Sequence, residues 1–320
     1  MILATIMAAA LAAQASPAST APREKAAPVT APADFTAHTA AFTAFFDETA
    51  TMPESERVRL FRKRFNTLFP GFYQPNGRTE AQYDAAVAAA LTGFPAIRSK
   101  YTAASNAFAQ AFTTGQARFI KTFPDYKLNM PVYLVHSLGQ MDGGSRTIDG
   151  RNVMIFGADV IAKIHDETTI APFLDHELFH LYHATWFPDC DALWCSLWQE
   201  GMAVYVASRM NPGASERQLL LDIPQPLPAA VNPRLGEAMC LARAKFDSTE
   251  QADYAPFFFG RPSAGPFPAR FGYYLGYLLA GKVGTSMTLM EMAHMPPAKV
   301  RPLLENALAE YGACPAPGKG

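Results

Sequence analysis

The sequence is short of charge and of long apolar runs, and each shortage excludes classes of protein. Only 17% of its 320 residues are charged and the formal net charge is -1, so electrostatics gives no reason to expect nucleic acid or an anionic membrane surface as a partner. No stretch reaches the roughly 20 apolar residues of a membrane-spanning helix, which argues against stable membrane insertion. Apolar residues still make up 49% of the chain, enough for a sizeable core. Composition leaves the oligomeric state open.

Cysteine is also scarce, and its spacing limits its chemistry. The chain has four cysteines, Cys190, Cys195, Cys240 and Cys314, and no C-x-x-C pair, which disfavours zinc ligation by cysteine. In an oxidising compartment they would form disulfides, with three possible connectivities. In one of these, Cys190–Cys195 closes a short loop and Cys240–Cys314 ties down the C-terminus.

The N-terminal segment has the composition of an export signal. Residues 1–15 form an apolar run that ends in the small-x-small sequence Ala13-Gln14-Ala15, which is typical of a cleaved secretory signal peptide. Residues 16–33 are rich in Pro, Ala, Ser and Thr and predict a disordered linker. We therefore expect a periplasmic or secreted protein whose folded part starts near residue 34.

Residues 34–125 predict a helical N-terminal subdomain. From Phe35 onwards apolar side chains recur at helical spacing, and the breakers around Pro95 are expected to separate a helix over 79–92 from one over 96–121. A basic cluster is interpreted as a solvated helix face rather than a site for an acidic substrate. Its members are Arg57, Arg59, Arg62, Lys63 and Arg64. The simplest role for this half is a cap over the rest.

The spacing of the apolar residues changes from helical to strand-like after residue 130. Short β-rich runs at 132–135 and 153–156 are separated by Asp-Gly turn signals, which predicts a small antiparallel sheet. Later segments predict helices near 234–247, 270–282 and 299–311, with a long loop through 257–262. Gly272 and Gly276 would let a neighbouring backbone approach the second of these helices.

The stretch between these regions contains the residues with the clearest chemistry. In His176-Glu177-Leu178-Phe179-His180, the two histidines are four residues apart, so on a helix they lie on one face and can bind one zinc ion. Glu177 projects beside that face, where a carboxylate can reach a zinc-activated water without ligating the metal. Thr168 or Thr169 would cap this helix, Pro172 suits its first turn, and Pro188 would end it.

A catalytic zinc site usually has three protein ligands and one open position, so a third ligand is expected. Glu200 is the best candidate, because it lies on a second predicted helix that ends at Asn211-Pro212-Gly213 and can fold back on the first. His183 competes for this role, but we interpret it as a residue behind the ligands or on the surface. Asp175 would cap the helix or orient an imidazole.

These residues resemble a known clan. His176, Glu177, His180 and Glu200, with Glu200 opening an E-G-x-A-x-Y run, resemble the gluzincin metallopeptidases. The chain resembles most a bacterial family of predicted, mostly uncharacterised zinc-dependent proteases in which a G-Y-Y-x-G-Y segment follows, as residues 272–277 do here. The resemblance implies an α+β, predominantly helical fold, with a zincin-like metallopeptidase domain over 126–314.

The resemblance also implies roles for residues outside the ligand set. In zincins an edge strand before the zinc helix holds extended substrate, and residues 152–157 are our candidate, although an ordinary hairpin is equally compatible. The Y-x-x-G run of the aminopeptidase family assigns an oxyanion-binding hydroxyl to Tyr273. That family's G-x-M-E-N motif is missing, which disfavours an aminopeptidase. Val204 stands where some gluzincins have a carboxylate that orients a ligand.

The sequence therefore predicts an exported zinc-dependent hydrolase that cleaves peptide bonds in a peptide or protein substrate. In this prediction His176, His180 and Glu200 bind Zn²⁺, Glu177 is the general base, and Tyr273 assists. Arg270 could bind a substrate carboxylate. Two alternatives stay open: a zinc-binding envelope protein without turnover, and a cell-wall amide hydrolase.

Overall fold

A computed structural model describes residues 35–188, 190–260 and 265–314, so the predicted signal peptide and linker lie outside the described residues. Helices dominate, and a small sheet makes the fold α+β. The strands are β1 (Phe35–Ala37), β2 (Val132–Val135), β3 (Gly143–Ile148) and β4 (Arg151–Gly157). The helices are α1 (Thr39–Glu48), α2 (Glu54–Leu68), α3 (Glu80–Thr122), α4 (Ala158–Ile164), α5 (Ile170–His183), α6 (Leu193–Met210), α7 (Leu227–Val231), α8 (Leu235–Ala244), α9 (Gln251–Phe258), α10 (Phe271–Val283), α11 (Leu289–Ala293) and α12 (Pro297–Ala309). A short 3₁₀ turn, Asn232–Arg234, joins α7 to α8.

The sheet is mixed, so the predicted antiparallel sheet is wrong in part. Its strand order is β1-β2-β4-β3; β2 pairs in parallel with β1 and β4, and only β3 is antiparallel to β4. The first strand was missed because Phe35 fits the helical stripe that continues into α1. A three-residue strand has too little pattern of its own to be separated from it.

The strand predicted to bind substrate, residues 152–157, is also not an edge strand. It forms most of β4, which lies between β2 and β3. The reason lies in its side chains: Val153 to Phe156 are all buried, and strands with a continuous apolar run suit the interior of a sheet. The polar strand β3, Gly-Gly-Ser-Arg-Thr-Ile, lies at the outer edge instead, as edge strands usually do.

Helix α3 spans 43 residues without a break and contains Pro95, so the prediction of two helices is wrong. An internal proline costs about 3 kcal/mol through its lost hydrogen bond and its steric clash. Here apolar residues on both sides of it, among them Leu91, Phe94 and Tyr101, are almost fully buried. Their burial outweighs the local cost. Thr79 and Gln82 close the N-terminal end of this helix with a capping box.

The basic cluster on α2 is a solvated helix face, as predicted. Three of its arginines form ion pairs with nearby carboxylates at the surface. The pairs are Arg59 with Glu56, Arg62 with Glu80 and Asp84, and Arg64 with Glu48. Because these three charges are already paired, they give no sign of a site for an acidic substrate.

The core is continuous across the predicted boundary at residue 125. Strand β1 comes from the N-terminal half and pairs with β2 from the second half. Helix α3 packs along α4 and α5, and a Cβ on Gly115 of α3 would lie 3.6 Å from Leu174 on α5. The two-part division stays a prediction, but the N-terminal helices support the helix that contains the histidines.

The three helices predicted in the C-terminal half are present to within a few residues, and three further helices, α7, α9 and α11, were not predicted. The loop predicted through 257–262 begins inside a helix, because α9 continues to Phe258. The predicted close approach at α10 is confirmed, because a Cβ on Gly276 would lie 2.2 Å from the backbone oxygen of Leu197 on α6. Two disulfides are formed, Cys190–Cys195 and Cys240–Cys314, and they indicate an oxidising, extracytoplasmic environment.

Among the described helices, none combines the length and the apolar character needed to cross a bilayer.

Candidate metal centre

Helix α5 places both histidines on one face. The helix begins at Ile170 with Thr169 at the N-cap position, but Thr169 makes no side-chain capping hydrogen bond. The backbone N–H groups of Thr168 and Thr169 instead donate to the Asp166 carboxylate in the turn before the helix. It ends at His183, several residues before the predicted stop at Pro188. The next N–H groups turn back to the His180 and His183 carbonyls, so the chain leaves the helix directly after the metal-facing turn.

Three potential ligand atoms converge at this face. The His176 and His180 Nε2 atoms are 3.0 Å apart, and they lie 3.4 and 3.3 Å from Oε2 of Glu200. Two ligands about 2.05 Å from a tetrahedral zinc lie about 3.3 Å apart, so the spacing suits one small metal ion. The structure thus brings together the three residues that were predicted as ligands, and they form a group that could hold a metal.

Glu200 reaches this face because α6 packs tightly against α5. Most of α6 is buried, including Trp198, Met202 and Val204. The Cys190–Cys195 disulfide joins the connection between the helices to the first turn of α6. Leu193 N–H donates to the Ser248 carbonyl and further fixes that end. The third candidate ligand therefore lies on a helix that is held by packing and fixed at its first turn.

Charge also brings the three groups together. Burial would raise the pKa of Glu200, but the two imidazoles hold it well below its usual range. Burial would lower the pKa of His180, but the Glu200 carboxylate raises it to about 9. For His176 burial dominates and the pKa is lowered. Without a cation the site thus favours one shared proton next to an ionised carboxylate, and a metal ion would replace that proton.

Glu177 lies beside the triad and faces the sheet edge. A Cβ on Gly143, the first residue of β3, would be 3.1 Å from the Glu177 carboxyl carbon. Without a bound cation, burial raises the pKa of Glu177 to about 8. A dication in the triad would oppose this shift because it adds two positive charges nearby. Glu177 is thus a carboxyl group near the ligands but outside the ligand group.

Of the three tyrosines in the G-Y-Y-x-G-Y segment, Tyr273 is the one that lies at the site. Its ring centroid is 6.5 Å from that of His176, and burial raises the pKa of its phenol well above the usual range, so it remains a hydrogen-bond donor. Tyr274 points elsewhere and donates to Asn232 (2.8 Å). Tyr277 lies against Tyr205 instead. These positions match the predicted helical register, while the catalytic role of Tyr273 stays a prediction.

Sequence reasoning missed Asp142 and His165 as neighbours of this site. Asp142 Oδ2 is 3.6 Å from His165 Nε2. Burial would raise the pKa of Asp142, but His165 and Arg270 lower it below its usual value. Its negative charge in turn acts on Glu177. The Asp142-Gly143 pair indicates only a turn, and nothing in the local sequence separates a turn residue from a neighbour of the site.

Two candidates near the histidines have structural roles. His183 is buried, contrary to a surface position, accepts a hydrogen bond from Trp198 Nε1 (3.3 Å) and stacks on Phe179. Asp175 neither caps the helix nor orients an imidazole. It is fully buried and accepts hydrogen bonds from Arg118 and Asn211, both at 2.7 Å. Both residues hold α5 in place through these buried contacts.

Searches against protein-family models, curated proteins and solved structures gave no match.

Proposed function

We propose that this protein is an exported zinc-dependent peptidase of the gluzincin type, with a zincin-like catalytic core within residues 126–314. The supporting observation is the convergence of His176, His180 and Glu200 within 3.0 to 3.4 Å, with Glu177 beside them. Two imidazole nitrogens and one carboxylate are a donor set that zinc accepts, and three ligands leave one position open. The two disulfides support export.

The residues at the site divide the work of hydrolysis among them. When bound, zinc would lower the pKa of a coordinated water towards neutrality and polarise the scissile carbonyl. Glu177 would accept a proton from the attacking water and pass it to the leaving nitrogen, as a general base and then an acid. Tyr273 would donate its phenolic hydrogen to the oxyanion that develops on the substrate, because its raised pKa keeps that hydrogen in place.

The sheet edge supports a peptide as the substrate. Strand β3 is half-exposed along its length and pairs with β4 on one side only. Its first residue lies against Glu177, so an extended peptide that paired with β3 would run past the carboxylate. Backbone pairing of this kind binds peptides largely independently of sequence. In our proposal β3 takes the role that was first predicted for residues 152–157.

Metal analysis and one isosteric variant test the proposal. We expect about one equivalent of zinc in the mature protein and cleavage of a peptide library. Glu177→Gln should keep both fold and zinc but lose a factor of about 10² to 10⁴ or more in rate. Glu167→Gln, an exposed change just before α5, is the matched control and should behave as wild type.

Three results would each count against the peptidase. Less than half an equivalent of zinc would remove the metal centre. Zinc with equal peptide cleavage by wild type and Glu177→Gln would indicate a metal-binding protein without turnover. Release of cell-wall muropeptides without any digestion of peptides would indicate the amide hydrolase instead.

A further inference from the structure

Arg270 is a buried cation in an unusual backbone conformation next to the candidate site. It is the residue before the first turn of α10, only 7% of its surface is exposed, and its φ is +68°. A residue with a side chain adopts this left-handed conformation at an energetic cost, and it persists only when the surroundings hold it. The fold thus fixes the position of this arginine at the entrance to α10.

The guanidinium of Arg270 has no ion-pair partner among the described residues. No carboxylate of the described chain lies within 4.0 Å of it, and its buried Nε makes no hydrogen bond. The undescribed segment just before it, residues 261–264, contains no acidic residue. By contrast, Arg118 on α3 is paired with the Asp175 carboxylate at 2.7 Å. Buried charges are normally paired, because desolvation is costly without a partner.

What Arg270 does contact belongs to the candidate site. Its guanidinium carbon lies 4.6 Å from the centroid of the Tyr273 ring, and that ring is 6.5 Å from the ring of His176. Burial would raise the pKa of Asp142, but His165 and Arg270 lower it. The positive charge therefore acts on the space between α10, the metal-facing histidines and the start of β3.

The nearby carboxylate of Asp142 does not neutralise this charge directly. It accepts the Gly143 N–H at 3.0 Å and lies 3.6 Å from His165, beyond ion-pair distance from Arg270. Glu177 and Glu200 are close to the histidines instead. A planar guanidinium held in place without a partner is suited to a carboxylate that arrives from outside, which it can bind through two parallel hydrogen bonds.

We propose that Arg270 binds a carboxylate of the substrate and thereby selects peptides with a negative charge close to the scissile bond. This inference rests on the peptidase function proposed above. The carboxylate can come from two sources, the C-terminus of a peptide or the side chain of an Asp or Glu residue. Substrates with a C-terminal carboxylate would be cleaved near their ends, whereas an acidic side chain would direct cleavage within a chain.

Matched peptides separate the sources. Two pairs of peptides are made from one short sequence that the protein cleaves. The first pair has a free C-terminal carboxylate or a C-terminal amide. The second pair has C-terminal amides and carries Asp or Asn next to the scissile bond. Loss of a charged hydrogen-bond partner typically changes an equilibrium by about 10- to 100-fold. We expect kcat/KM to be higher by that factor for the free acid over its amide, or for Asp over Asn.

The variants are Arg270→Met, which keeps the apolar part of the side chain, and Arg270→Lys, which keeps the charge but not the two parallel N–H donors of the guanidinium. The readout is the ratio of kcat/KM between each charged peptide and its neutral partner: Arg270→Met should abolish this preference, and Arg270→Lys should keep part of it. Arg234→Met is the matched control. Arg234 also lies over an aromatic ring, that of Phe267 at 5.3 Å, but it is exposed and paired with Glu237.

A binding measurement makes the test independent of turnover. Calorimetry on metal-free protein would compare the binding of N-acetyl-phenylalanine with that of its amide. Weaker binding of the acid by Arg270→Met and Arg270→Lys would support the proposal, provided that circular dichroism shows both variants to be folded. Equal binding of acid and amide by wild type would overturn it.

The kinetic outcomes separate this inference from the proposed function. Cleavage of all peptides at equal rates by wild type would overturn the role of Arg270 and leave the peptidase intact. A uniform loss with Arg270→Met on charged and neutral peptides alike would also overturn it, since the guanidinium would then act on the scissile carbonyl or through Tyr273. Absence of any cleavage would count against the peptidase, and the calorimetry would still decide the role of Arg270.

Discussion

The crossing of α6 and α10 at Gly201 and Gly276 gives the prediction that follows most directly from the structure. A Cβ on Gly201 would lie 2.2 Å from the carbonyl carbon of Gly276, whereas carbon atoms pack at about 3.5 to 4.0 Å. Gly201→Ala therefore requires the two helices to separate by about 1.3 Å or more. The obstructing atoms belong to the backbone, so no side chain can rotate away.

The expected cost is at the upper end of the range for overpacking, about 3 kcal/mol of unfolding free energy. Because Gly201 follows Glu200, the separation should also misplace the carboxylate, and zinc affinity should fall by about tenfold or more. Urea unfolding followed by circular dichroism, in the presence of chelator, measures the first effect. Competition with a zinc indicator measures the second.

Two other glycines provide matched controls. A Cβ on Gly281, on the same helix α10, would meet only Tyr205 at 3.8 Å, and one on Gly93 in α3 would meet nothing within 4 Å. Alanine at either position should be neutral or stabilise by up to about 1 kcal/mol, because glycine inside a helix is conformationally costly. If Gly201→Ala unfolded and bound zinc like these controls, the close crossing would not constrain the site.

Three further predictions concern the site and its support. Tyr273→Phe should lower kcat by roughly 10²- to 10³-fold with little change in KM or zinc content, whereas Tyr274→Phe should cost far less; equal effects would contradict the register of α10. Asp175→Asn should cost about 3 kcal/mol in urea unfolding, because it leaves Arg118 without its buried carboxylate. Burial lowers the pKa of His136 below its ordinary 6.5. Its protonation therefore favours the unfolded chain, and stability should fall below about pH 6.5 by up to about 1.4 kcal/mol per pH unit, a slope that His136→Asn should reduce.

The part of the site that could be predicted from the sequence is the part determined by local spacing. His176 and His180 lie one turn apart on any helix, and the pattern around them is strongly helical. The pairing with Glu200 followed from the length of the connection between two helices. The register of Tyr273 and Tyr274 followed from the same periodicity, and the structure separates these two rings as expected.

The wrong predictions concern features that depend on distant contacts. Pro95 predicts a helix end by local rules, but the apolar residues on either side of it are buried by other elements, and α3 continues. Strand runs at 132–135 and 153–156 do not reveal their partners, so the parallel pairing with the short strand at Phe35 could not be foreseen. Arg270 and Asp142 are 128 positions apart in the sequence, and only the fold brings them to one site.

The strand that we propose for substrate binding, β3, differs from the predicted residues 152–157 of β4 for a physical reason. A strand as apolar as Val153 to Phe156 has to be covered on both edges and faces, so it cannot remain free to pair with a peptide. Strand β3 is polar enough to stay exposed, and it begins with Gly143, where any larger side chain would press on Glu177. The exposed edge and the candidate base are thus adjacent because the most apolar strand occupies the interior of the sheet.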